Sequence, residues 1–232
     1  MFVKICGITN EDDALLATAL DADALGFVLA PSPRQVDPET VRDIVRRLPR
    51  EMHTIGVFRD ERPERIVEIV GRAGLHGVQL HGHEPPSEVT WIRERVQFVI
   101  RAFAAGDPAL ADAAASAADI ILIDSPDPGS GKVFDWRLAD GAPRGKRIML
   151  AGGLNADNVG DAIRLVRPWG VDVSSGVEQL PGRKDPAKLR RFVASARAAA
   201  EDVADHTGEH AIDLTVDEVG GVTRPWDWQI DH

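Results

Sequence analysis

Eight short apolar runs recur along the chain: Val3–Cys6, Ala24–Leu29, Thr54–Phe58, Gly77–Leu80, Phe98–Ile100, Ile120–Ile123, Ile148–Leu150 and Val171–Val173. A strand with one wet face alternates apolar and polar residues. These runs are nearly continuous, as strands covered on both faces are. Between them lie stretches with helical spacing: Glu11–Leu20, Pro38–Leu48, Pro63–Ala73, Pro86–Arg93, Pro108–Ala117, Asp157–Val166 and Asp185–Ala199. Several open on helix-start chemistry. In Asp37-Pro38-Glu39, Asp37 suits an N-cap and Pro38 the first helical position. The sixth and seventh strands are joined by what reads as loop, with a short helix near Asp135–Leu138.

Strict alternation of strand and helix predicts a parallel sheet. Eight such units either close into a barrel or lie open as a doubly wound sheet. The Gly-x-Gly-x-x-Gly turn of the open dinucleotide-binding sheet does not follow the first strand, where Cys6-Gly7-Ile8-Thr9-Asn10 stands instead. The expected class is therefore α/β, a single (β/α)8 TIM barrel. The 232 residues, 44% of them apolar, suit one such domain.

Charge divides the chain in two. Residues 201–232 hold nine acidic residues and one basic residue, Arg224, for a net of −8. Of the total of −10, only −2 is left for the first 200 residues. The expected organisation is a catalytic barrel over 1–200 and an acidic C-terminal extension over 201–232. That extension is expected to be partly disordered, or docked on the barrel or a partner subunit through its alternating Ile212, Leu214 and Val216 and through Trp226 and Trp228. Neither part has the basic face of a nucleic-acid binder. No run approaches the length of a membrane span, and the first strand begins where a targeting signal would stand. A single cysteine excludes an internal disulfide and fits a reducing, cytoplasmic setting. Monomer and homodimer both remain open.

Barrel chemistry gathers at the carboxyl ends of the strands, so the residues closing each run carry the candidate site. Cys6 closes the first run; read alone, it is either a packed small side chain or a base. Asp124 follows the four apolar residues of the sixth run, as a cap of the Ser125-Pro126 turn or as an acid. Gly152 and Gly153 follow the seventh run, and Ser174, Ser175 and Gly176 follow the eighth. These are the two loops where a barrel holds phosphate on backbone N–H groups. Arg34, in the proline-stiffened Pro31-Ser32-Pro33-Arg34, suits a planar carboxylate, or is simply a solvated arginine. His81 ends the fourth run. With His83 it forms a His-x-His pair that lacks a third ligand, and the tail's His206 and His210 do not form His-Glu-x-x-His, so no metal site is expected.

In order, these segments resemble the phosphoribosylanthranilate isomerase family. The resemblance rests on Lys4-Ile5-Cys6-Gly7-Ile8-Thr9, Ala24-Leu25-Gly26-Phe27-Val28, Ser32-Pro33-Arg34, Gly56-Val57-Phe58, Val78-Gln79-Leu80-His81-Gly82, Gly129 through Trp136, Leu150 through Asn155, and Gly170 through Glu178. It implies an intramolecular aldose–ketose isomerase of tryptophan biosynthesis. Such an enzyme converts N-(5-phosphoribosyl)anthranilate, a small phosphosugar, into 1-(2-carboxyphenylamino)-1-deoxyribulose 5-phosphate by an Amadori rearrangement. It implies no cofactor and no metal, since the iminium intermediate is itself the electron sink. By position it implies Cys6 as base, Asp124 as acid and Arg34 as the holder of the anthranilate carboxylate. Gly153 and Ser175, with Gly152, Ser174 and Gly176 beside them, are implied at the phosphate. His81 and Asp172 are implied in the pocket lining. The base role carries the expectation that the Cys6 thiol is unusually acidic. Relatives that also isomerise the analogous histidine-pathway intermediate carry aspartate at this position, so Cys6 points to the single-substrate enzyme. A non-catalytic phosphosugar-binding barrel would have lost Cys6 or Asp124.

Overall fold

The computed structural model describes residues 1–125, 136 and 145–207, with side chains through residue 204. Eight parallel strands close in sequence order into a barrel: β1 (Phe2–Cys6), β2 (Ala24–Val28), β3 (His53–Phe58), β4 (Gly77–Leu80), β5 (Phe98–Ala104), β6 (Ile120–Asp124), β7 (Arg147–Leu150) and β8 (Gly170–Val173). Helices α1 (Glu11–Ala19), α2 (Pro38–Val45), α3 (Pro63–Ala73), α4 (Pro86–Arg93), α5 (Val159–Val166) and α6 (Pro186–Thr207) wrap the outside. Closure is made by β1, which pairs with β2 through Lys4 and Ala24 and with β8 through Lys4 and Asp172.

The two-residue period of the strands sorts side chains into two cores. Outward residues such as Val3, Ile5, Val171 and Val173 pack under the helices with Leu189, Phe192 and Ala196 of α6. Inward residues Ala24, Ile55, Phe98, Ile100, Ala102, Ile120, Leu122, Met149 and Ala151 fill the barrel. The inward sides of β1 and β8 are polar instead, because Lys4 and Asp172 stand there. At the amino-terminal end the ring of Phe2 stacks on Trp169 at 4.5 Å and lies near His53. These rings plug the barrel at the end away from Cys6 and Asp124.

The strands and most helices match the sequence expectation within a few residues. The stretch Pro108–Ala115 is wound as a 3₁₀ segment rather than an α-helix. It is mostly alanine and buries only Leu110 and Ala113, so no broad apolar stripe enforces the α pitch. A hairpin that the apolar pattern missed follows β8: β9 (Glu178–Leu180) and β10 (Arg183–Lys184) turn at Pro181-Gly182, with Gly182 at φ +78°. Helix α6 continues past residue 200 to Thr207. The expected helix near Asp135–Leu138, apart from Trp136, the matched segment Gly129 through Asp135, and the tail from residue 208 lie outside the described residues. Among the described residues no helix is long and apolar enough to cross a membrane.

Candidate active site

Cys6 is the last residue of β1, and Asp124 is the last of β6. Both end at the same mouth of the barrel, three strands apart around the closed sheet. Asp124 divides its carboxylate. Oδ1 accepts from the Ser125 N–H, the next residue along the chain, at 2.7 Å. Oδ2 lies 3.4 Å from His81 Nε2. His81 is held in turn by Gln79, whose amide Nε2 lies 3.0 Å from the ring Nδ1. With that amide donating, Nδ1 accepts and the ring hydrogen sits on Nε2, toward Asp124. Gln79 Oε1 is buried with no hydrogen-bond partner among the described residues. His83 is 89% exposed and beside Asp60, so it does not join His81. Among the described residues, no three His, Cys, Asp or Glu side chains gather as metal ligands would.

The other side of the mouth is built from the loops after β1, β2 and β8. Gly7, at φ +74°, lets them converge: a Cβ there would stand 2.6 Å from Arg34 Cδ and 2.8 Å from Ser174 Oγ. Ser174 Oγ is buried without a partner among the described residues. Its neighbours Ser175–Val177 form a single 3₁₀ turn. Gly176 fits only without a side chain, because a Cβ would meet Leu154 O at 1.9 Å. This close approach joins the β8 loop to the β7 loop, where Gly152 and Gly153 turn at φ +82° and +68°. Asn158 braces that loop by donating to Gly153 O at 3.0 Å. The five small residues singled out in the two loops are thus neighbours in space.

Arg34 is not a solvated surface side chain. Its Nε donates to Glu178 Oε1 at 2.9 Å and its Nη2 donates to Glu178 Oε2 at 2.8 Å. Glu178 also meets Lys184 Nζ at 3.1 Å. Burial would raise the Glu178 pKa, but the Arg34 hydrogen bonds and the Lys184 charge bring it below the usual value. Lys184 Nζ donates further to Cys6 O at 2.6 Å and to Ser174 O at 3.3 Å. The hairpin is therefore clasped to the ends of β1 and β8, and Thr9 Oγ1 bonds Gly182 O across its turn.

Beneath the mouth, Lys4 Nζ lies fully buried and 2.8 Å from Asp172 Oδ1. Asp172 thus faces into the barrel, and its carboxylate is engaged by Lys4. The expectation of an unusually acidic Cys6 thiol is corrected. Burial pushes its pKa up, opposed by the Lys4 charge, reinforced by Asp172 and opposed again by Lys184. A thiolate in a dry barrel loses more hydration than its neighbours restore.

Sequence reasoning assigned no role to Lys4, Gln79, Glu178 or Lys184. A signal existed for Lys4, a charge inside an apolar run two residues before Cys6 and hence on the same face. None existed for the Glu178–Lys184 pair, which depends on the hairpin.

Comparison with known proteins finds relatives that span the barrel. The family model described as N-(5'phosphoribosyl)anthranilate (PRA) isomerase matches residues 3–195. A protein of Desulforudis audaxviator named N-(5'-phosphoribosyl)anthranilate isomerase is 47% identical over 204 residues, spanning 85% of this chain and 98% of its own length. The crystal structure of phosphoribosyl anthranilate isomerase from Thermus thermophilus superposes with a TM-score of 0.81 at 42% identity, covering 85% of this chain and 99% of that one. A second phosphoribosyl anthranilate isomerase structure, in complex with reduced 1-(o-carboxyphenylamino)-1-deoxyribulose 5-phosphate, superposes at 0.76 with 39% identity, covering 85% and 99%. The chain belongs to the N-(5'-phosphoribosyl)anthranilate isomerase family.

Proposed function

We propose that the chain catalyses the Amadori rearrangement of N-(5'-phosphoribosyl)anthranilate to 1-(2-carboxyphenylamino)-1-deoxyribulose 5-phosphate, a step of tryptophan biosynthesis. The observation that carries this reading is one barrel mouth closed by a thiol on β1 and a carboxylate on β6, with the Ser174 hydroxyl, which has no partner among the described residues, and the Gly152-Gly153 turn beside them. Asp124 acts as the acid. It gives a proton to the ribose ring oxygen, the C1–O bond breaks, and the anilino nitrogen pushes its pair in to form the iminium. Cys6, as thiolate, takes the C2 proton. The C–H pair becomes the C1=C2 bond and the C1=N π pair returns to nitrogen. The resulting enolamine becomes the ketone by losing the O–H proton and gaining one at C1.

The geometry suits this division of labour. The Asp124 Oδ2 faces His81, which can stabilise the carboxylate left after proton donation. Glu178 holds the Nε–Nη2 edge of Arg34, which leaves the end-on edge of the fork for the anthranilate carboxylate. The β7 and β8 loops offer backbone N–H groups and the Ser174 hydroxyl to the phosphate. The test is turnover of freshly made phosphoribosylanthranilate beside the analogous histidine-pathway aminoaldose. The first is expected to be consumed and the second left intact. Comparable turnover of both would overturn the single-substrate reading, and turnover of neither would overturn the isomerase reading.

A further inference from the structure

Cys6 presents a chemical problem. Resting on the reading that it is the base, it must act as a thiolate, yet burial drives its thiol in the opposite direction. The charged groups that face it come from four elements. Lys4 is two residues back on β1, Asp172 lies on β8, Lys184 on β10, and Arg34 in the loop after β2. Lys184 is committed by hydrogen bonds to Cys6 O, Ser174 O and Glu178, and Arg34 is committed to Glu178. Lys4 has one carboxylate, Asp172, and lies fully buried on the same inward face as Cys6.

Gly26 shows how close the two groups come. It pairs with Cys6 across β1 and β2. A Cβ at Gly26 would stand 2.8 Å from Cys6 Sγ and 3.1 Å from Lys4 Nζ. Sulfur and ammonium therefore share the space that a side chain on β2 would fill. Burial lowers the Lys4 pKa, but Asp172 and Cys6 outweigh it and hold it above the usual value.

We propose that Lys4 is a positioning residue for the isomerisation: its ammonium is the counter-ion of the Cys6 thiolate, divided between the sulfur and the Asp172 carboxylate. Touching no reacting atom, it acts through Cys6. Lys4 supplies the charge that lets a buried sulfur hold its pair for the C2 proton, and Asp172 tempers how much of that charge the sulfur receives.

The chain has one cysteine and no tyrosine, so the ultraviolet thiolate band titrates a single group without a phenolate background, with Cys6→Ser as the blank. Lys4→Met is expected to raise the titration midpoint by about one pH unit or more, and Asp172→Asn to lower it. The acidic limb of the kcat/KM profile is expected to move with the midpoint in each variant. Opposite shifts are the signature of charge. General damage to the barrel would move both variants one way, and that result, or an unchanged midpoint in Lys4→Met, overturns the proposal. Should Lys4→Met fail to fold, Asp172→Asn decides alone, and a rise or no change overturns it. The titration needs no substrate, so it separates this inference from the role of Cys6 itself. Normal turnover in Cys6→Ser would refute the base and leave the Lys4 pairing intact.

Discussion

On the proposed reading, the Arg34 fork is shared between a resident carboxylate, Glu178, and that of the anthranilate. Glu178 takes the Nε–Nη2 edge and so fixes the plane in which the end-on edge lies. Lysine carries the same charge but cannot serve two carboxylates edge by edge. Arg34→Lys is therefore expected to raise KM by about tenfold or more while kcat changes much less. Steady-state kinetics checks this, and a fall confined to kcat would contradict it. Cys6 and Asp124 were legible as candidates because each closes a strand of a barrel, and Arg34 because it stands in the proline-stiffened loop after the second strand. What each does was not legible, since one Asp124 oxygen bonds the next backbone N–H while the other faces His81. The two-residue period placed Lys4 on the Cys6 face; its pairing with Asp172 depends on closure between β1 and β8, which no local pattern encodes.

The β9–β10 hairpin does for the loops what the barrel does for the strands. Its buried Lys184 ties the end of β1 to the end of β8 and neutralises Glu178. Without Lys184, Glu178 keeps Arg34 as its cation, but the carbonyls of Cys6 and Ser174 lose their buried donor, at a cost of about 1–3 kcal/mol. Lys184→Met is expected to destabilise the fold by that order in a denaturant titration, and a loss below about 1 kcal/mol would contradict the clasp. The strands were easy to read because burial on both faces leaves long apolar runs. The hairpin was hard to read because it is short and half exposed, marked only by Pro181-Gly182. The Pro108–Ala115 segment shows the converse: alanines suggest a helix, but packing leaves it as 3₁₀.

At the scale of the molecule, the barrel is closed at one end by rings and open at the other to chemistry. The plug has a pH dependence of its own. Burial, and the neighbouring His76, lower the His53 pKa from 6.5 to about 4. The unfolded chain therefore binds the proton first as pH falls. The contribution of His53 to stability is complete above about 6.5 and is lost as pH drops towards about 4. His76, lowered by burial, acts in the same direction. Melting temperature measured from neutral to mildly acidic pH is expected to fall through this window in the wild type and to fall less steeply in His53→Gln. Identical slopes would contradict a neutral His53 in the plug. The central claim concerns the opposite end, where a thiol on β1 is the base of a sugar isomerisation. Its most direct test follows the fluorescence of freshly made phosphoribosylanthranilate with wild type and with Cys6→Ser. Rapid loss with the wild type and a rate at least about a hundredfold slower with Cys6→Ser, at little changed KM, is the predicted result. Equal rates in the two proteins would contradict it.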